Sequence, residues 1–126
     1  MIDLKINKSM EDYLEAILMI QEQQGHVRSV DIARWLKITK PSVSYMVKKL
    51  KENGFIEVQD DGNIALLESG LKIAEEIYAK HKTLTEFFVK LGVDRQTAHD
   101  DACLIEHDIS NKTYKALCEY IDKEMD

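Results

Sequence analysis

The sequence has little of what breaks or braces a chain: one proline, five glycines and two cysteines among 126 residues. So few breakers leave no long linker or low-complexity tract, and no internal repeat is present, so one or two small globular domains are expected. Two thiols, Cys103 and Cys118, do not make a disulfide scaffold. In a cytosolic chain they are expected as free thiols or ligands, with a redox-sensing pair as the alternative. No apolar run approaches the roughly 20 residues that cross a bilayer. The opening MIDLKINKSM lacks the apolar core and cleavage site of a signal peptide. A cytoplasmic location without a membrane partner follows as an expectation. Also absent are a Gly-rich phosphate loop, a nucleophile triad and the repeated Glu-x-x-His of di-iron bundles, since Glu106 and His107 are adjacent and have no second copy. These absences argue against an enzyme and against a small-molecule substrate.

Charge is present in quantity but unevenly placed. The net charge of −6 would argue against nucleic acid if it were spread evenly. Residues 1–58, however, carry nine Lys/Arg against eight Asp/Glu, while residues 59–126 carry eight against fifteen. Such a division signals two halves with separate roles.

The first half reads as helices and a hairpin. Ser9 is placed to N-cap a helix through SMEDYLEAILMIQEQQG, with Met10, Tyr13, Leu14, Ile17, Leu18 and Met19 as its apolar face and Gly25 at its end. Asp12 and Glu15 are three residues apart and so present two carboxylates to one point, although acids early in a helix are also favoured by its dipole. SVDIARWLKITKPSVSYMVKKLKENG then has helix-turn-helix spacing, with Val30, Ile32, Ala33 and Leu36 predicted inward on a short helix and Pro41 opening the next one. Val43, Met46, Val47 and Leu50 repeat at i, i+3, i+4, i+7 and define its buried side. Thr39, Lys40, Pro41, Ser42, Ser44, Tyr45, Lys48 and Lys49 are the candidate DNA contacts, because short polar groups read base edges and lysines meet phosphates. FIEVQDDGNIALLESG supplies two β-prone runs around a turn, which completes a winged helix. Asp60 and Asp61 at the wing tip would repel phosphate, so the wing is expected to contact DNA weakly or not at all.

The second half is predicted as three helices. GLKIAEEIYAKHKTLTEFFVKLG, from Ser69 on, has Ile73, Ile77, Leu84, Phe87, Phe88 and Leu91 as packing positions, His81 midway and Gly92 as its stop. Ser110 is placed to cap a last helix with Tyr114, Leu117, Cys118 and Ile121. Between them HDDACLIEH, residues 99–107, packs two histidines, a cysteine and three acids into nine positions. At about 100° per residue, with His99 at zero, Cys103 lies near roughly 40°, Glu106 near −20° and His107 near 80°. All four share one helical face, with Leu104 and Ile105 outside it as the predicted packing face. Imidazole, thiolate and carboxylate are all transition-metal ligands. The alternative reading is a solvated acidic helix in which Cys103 is a small buried hydrophobe.

The fold class is thus mainly α: an N-terminal winged helix-turn-helix over residues 1–68, then a helical domain over residues 69–126. SMEDYLEAI, DIARWLKITKPSVSYMVKKL and HDDACLIEHDIS, in this order, resemble the diphtheria-toxin repressor family of metal-activated repressors, including its manganese transport regulator branch. The resemblance runs from Ser9 to about Tyr120 and implies that Asp12, Glu15, His81, Cys103, Glu106 and His107 are metal ligands. Asp12 looks like the manganese branch, whereas Cys103 looks like the iron branch. His99 resembles a ligand of the iron branch's ancillary site, which His81 would share, but Thr85 stands where that site usually has a carboxylate, with Glu86 next to it. The end at Asp126, without an SH3-like third domain, resembles the short form of the family.

The resemblance further implies a homodimer whose two recognition helices meet a palindromic operator, with the last three helices as the dimerisation and metal-sensing domain. Metal is expected to tie Asp12 and Glu15 to the sensor residues, relieving carboxylate repulsion and holding the DNA-binding domain in register. Carboxylates suit Mn2+ and a thiolate favours softer ions, while affinity rises toward the later metals. Mn2+ or Fe2+ is the expected cofactor, with Zn2+ and Co2+ able to bind in vitro.

Overall fold

The computed structural model describes residues 7–124; the MIDLKI segment, read above for a leader, lies outside them. The chain divides within one long helix into two compact units, Met1–Glu75 and Glu76–Asp126.

In the first unit, α1 (Lys8–Gln24) is capped by Asn7, whose side chain accepts from the Met10 N–H at 2.9 Å. Ser9, the expected cap, instead lies in the first turn. The Asn7 oxygen reaches the same class of unpaired donor two residues earlier in the chain. Gly25 ends α1 in the left-handed conformation at φ 84°. α2 (Ser29–Leu36) and α3 (Lys40–Glu52) form the helix-turn-helix; Lys37, at φ 57°, closes α2, and Thr39 caps α3 by accepting from the Ser42 N–H. β1 (Ile56–Val58) and β2 (Ile64–Leu66) pair antiparallel, with Ile56 opposite Leu66 and Val58 opposite Ile64. The hairpin is tied to the loop after α1: Ile64 N–H donates to the Val27 carbonyl at 2.7 Å, and Val27 N–H donates to the Asn63 side chain at 2.8 Å.

Leu14, Ile17, Val27, Ile32, Val43, Leu50, Ile56 and Ile64 are fully buried and form this unit's core. That core holds α3 by Val43, Met46, Val47 and Leu50, the four positions its spacing predicts. Val30 is a correction: it was expected inward but is exposed, while Leu36 is half-buried. α2 has only eight residues, and its inward stripe narrows to Ile32 and Ala33.

The second unit holds most of α4 (Glu68–Lys90), then α5 (Arg95–Ile105) and α6 (Asn111–Glu124). Asp94 caps α5 by accepting from the Thr97 N–H at 3.0 Å, and Ser110 caps α6 through the Thr113 N–H at 3.1 Å. Ile77 and Leu84 of α4 and Ala98 and Ala102 of α5 are buried, whereas α6 buries none of its described residues fully.

Three apolar expectations fail here. Leu104 and Ile105 were read as the packing face of α5 but are 62% and 39% exposed, and Leu91 is 65% exposed just beyond α4. The inward positions are Ala98, Ala102 and Glu106, spaced i, i+4, i+8, so α5 packs with small side chains and a carboxylate and turns its branched residues outward. Among the described residues no helix is long and apolar enough to cross a membrane.

Candidate metal centre and nucleic-acid interface

The helical unit gathers five of the seven predicted metal residues. His81 sits in the middle of α4, and Thr85, one turn later, donates its hydroxyl to the His81 carbonyl at 2.7 Å. His99 and Cys103 occupy successive turns of α5. Glu106 is not inside the helix as expected: α5 ends at Ile105, and Glu106 is its C-cap, still in right-handed helical geometry, with its N–H donating to the Ala102 carbonyl. His107 follows in the turn.

Glu106, 1% exposed, places Oε2 at 2.9 Å from His81 Nδ1 and Oε1 at 3.5 Å from His107 Nε2. A carboxylate only accepts, so this contact puts a proton on His81 Nδ1 and leaves Nε2 with the lone pair. His81 Nε2 faces His99 Nδ1 at 2.9 Å, with the rings edge to face. Cys103 Sγ stands 3.7 Å from His81 Nδ1 and 3.8 Å from His99 Nε2. Donors bound to a tetrahedral ion at 2.0–2.3 Å stand roughly 3.3–3.6 Å apart, so the ligand atoms of His81, His99 and Cys103, all within 4.8 Å of one another, would have to draw together on an ion. On α1, Asp12 and Glu15 are one turn apart as predicted; Glu15 is buried and Asp12 half-buried.

Surrounding charges fix the elements that carry the cluster. The Thr97 backbone amide and hydroxyl hold the Asp94 carboxyl below its ordinary range. Arg95 does the same for Glu86 by a 3.0 Å hydrogen bond across the α4–α5 turn, and Arg95 is raised in return. Burial first, then hydrogen bonding with Cys118, pushes the Tyr114 phenol up, against the lowering effect of Thr83. Cys118 thus neighbours Tyr114, while Cys103 neighbours the histidines, and the two do not form a disulfide.

The predicted DNA residues line the outer side of α3 and its entry. Thr39, Lys40, Pro41, Ser42, Ser44, Tyr45 and Lys48 are exposed, and Lys49 is half-buried with its ammonium 5.7 Å from the Tyr45 ring centre. Thr39 and Ser42 also share a hydroxyl hydrogen bond of 2.9 Å, so the cap and the first exposed hydroxyl form one polar cluster. At the wing tip Asp61 accepts from the Asn63 N–H at 2.9 Å, a turn-forming role that its charge alone did not disclose. The His81 to His99 contact was implied only by the family resemblance, because no local periodicity relates residues on two different helices.

Comparisons with known proteins match two consecutive segments of the chain. A family model described as iron dependent repressor, N-terminal DNA binding domain, matches residues 5–64, and one described as iron dependent repressor, metal binding and dimerisation domain, matches residues 67–124. An uncharacterized HTH-type transcriptional regulator of Methanocaldococcus jannaschii is 36% identical over 123 residues, covering 96% of this chain and 98% of that protein. The HTH-type transcriptional regulator MntR of Bacillus pumilus is 36% identical over 102 residues, covering 81% of this chain and 71% of MntR. Among solved structures, a manganese-dependent transcriptional repressor in complex with manganese superposes with a TM-score of 0.83 at 27% identity, covering 90% of this chain. This chain spans about half of that larger one, 52%. The two models together match residues 5–64 and 67–124, nearly the whole sequence: the chain belongs to the diphtheria-toxin repressor family, the iron-dependent repressors, and has a manganese-dependent repressor among its relatives.

Proposed function

We propose that this protein is a metal-activated DNA-binding repressor of divalent-metal homeostasis, acting in the cytoplasm as a homodimer on palindromic operator DNA. The observation that carries the reading is the cluster of His81, His99, Cys103, Glu106 and His107 in the segment matched by the metal-binding and dimerisation model. Asp12 and Glu15 complete the ligand set. Mn2+ or Fe2+ is the physiological ion, in keeping with the manganese and iron names of the relatives, and Zn2+ and Co2+ bind in vitro.

The ion supplies positive charge among carboxylates. The residues do the rest: Glu106 holds the His81 ring and its Nδ1 proton, and His107 lies against the other Glu106 oxygen. Because ligands are drawn from α1 as well as the later helices, metal affinity and DNA affinity are thermodynamically linked. On DNA, Thr39, Lys40, Pro41, Ser42, Ser44 and Tyr45 present the α3 N-terminus to base edges and backbone, and Lys48 and Lys49 meet phosphates.

The test is anisotropy of labelled DNA from upstream of the protein's own gene, titrated anaerobically at fixed salt with chelator and then with Mn2+, Fe2+ and Zn2+ separately. Tight binding only with metal is expected. Equal binding with chelator would overturn the reading in favour of a metal-independent regulator.

A further inference from the structure

Between Lys51 and Lys72 the chain has no lysine or arginine but five acids, Glu52, Glu57, Asp60, Asp61 and Glu68. That stretch contains the whole hairpin, and it follows directly on α3, where Lys40, Lys48, Lys49 and Lys51 meet no acid before Glu52. One element of the DNA-binding unit therefore attracts phosphate and the next one repels it.

The repelling turn cannot swing aside. Asn63 engages all four of its polar groups: its N–H donates to the Asp61 carboxylate at 2.9 Å, its carbonyl accepts from the Gln59 N–H at 2.8 Å, its side-chain amide donates to the Gln59 side chain at 2.9 Å, and its side-chain oxygen accepts from the Val27 N–H at 2.8 Å. The hairpin is thus braced at its far strand to the loop that leads into α2. At its near end the Phe55 N–H donates back to the Leu50 carbonyl of α3 at 3.0 Å. Asp61 is occupied in forming the turn, whereas Asp60 is exposed and makes no hydrogen bond or ion pair among the described residues.

We infer that Asp60 is a specificity-determining residue that acts by repulsion: its fixed carboxylate stands over a groove when α3 sits in the operator register and faces phosphate in other registers. The inference rests on the DNA-binding reading above and adds a penalty for wrong sequences. Attraction to phosphate is the same at any sequence and supplies essentially all non-operator binding. Base contacts from α3 select one register, and a like charge placed against the alternatives widens the difference in affinity without any new attractive contact. A mobile tip would relax away from phosphate and lose this effect, which is the consequence of the Asn63 brace.

The test compares two labelled duplexes at fixed salt: one enriched from a random-sequence pool by the Mn2+-loaded parent protein, and a scrambled duplex of the same composition. In Asp60→Asn, affinity for the scrambled duplex is expected to rise about two- to fivefold, the scale of one exposed charge contact, while affinity for the enriched duplex is unchanged. In Asp60→Lys the scrambled duplex should gain more, with its salt dependence steeper by about one counterion. Glu119→Gln removes an equal charge from an exposed position on α6, outside the DNA-binding unit, and should change neither affinity. An equal rise on both duplexes, no change on either, or a gain matched by Glu119→Gln would overturn the inference. So would a loss on the enriched duplex, which would make Asp60 a base contact. Circular dichroism of each variant checks that the fold persists. If the scrambled duplex alone gains in Asp60→Asn while binding proves independent of metal, metal activation fails and the role of Asp60 stands.

Discussion

Glu106 faces a histidine with each carboxylate oxygen and is almost wholly buried. Glu106→Gln keeps its size but removes its charge and one acceptor, so the His81 Nδ1 proton faces at best a neutral amide oxygen in place of a carboxylate. The metal concentration needed for half-maximal DNA binding should rise at least about tenfold, which an anisotropy titration against free Mn2+ measures. Asp94 carries a pH dependence instead. Its carboxyl is held below its ordinary value chiefly by the Thr97 amide. A depressed pKa adds stability that is fully present above the unfolded value, about 3.9, and is lost as pH falls through the folded value. Asp94→Ala should therefore lower the melting temperature at pH 7, and the gap from the parent protein should close as the pH is brought below about 3.9. Melts across that range check both the size and the sign.

At the scale of elements, α3 and the start of α4 make separate demands. Lys48 is exposed on the outer side of α3, away from the buried Val43, Met46, Val47 and Leu50. Lys48→Ala should weaken binding to all DNA sequences and flatten its salt dependence by about one counterion, with Mn2+ affinity unchanged by calorimetry. Gly70, in the first turn of α4, lies so close to the Phe55 backbone that a Cβ would fall well inside contact distance of the Phe55 carbonyl. Backbone atoms do not swing aside as a flexible side chain does. Gly70→Ala should destabilise the protein by about 1–3 kcal/mol, read as a lower midpoint in urea unfolding. Elements also mark where the sequence was legible. The faces of α3 followed from periodicity because its inward residues are branched and apolar. The face of α5 did not, because Ala98, Ala102 and Glu106 occupy the inward row and Leu104 and Ile105 stay exposed. A hydrophobic pattern locates a buried face only when that face is the more hydrophobic one.

For the whole molecule, removal of metal is the decisive perturbation. Chelation should abolish operator binding while leaving the folded helices in place, and Cys118→Ser should respond to Mn2+ as the parent protein does, because Cys118 neighbours Tyr114 and not the histidines. Anisotropy with and without chelator, beside circular dichroism, separates these outcomes. The order of helices, the helix-turn-helix, the hairpin and the residue types of the metal cluster are all readable along the chain, because each depends on neighbours within a few positions: a cap, a turn, an i to i+4 stripe. What the linear order left open was which ligands meet. His81 lies 18 residues from His99 and 25 from Glu106. Their contacts exist because α4 and α5 come together where Ala98, Ala102 and Glu106 form the buried row of α5, and that approach is a property of two helices in space.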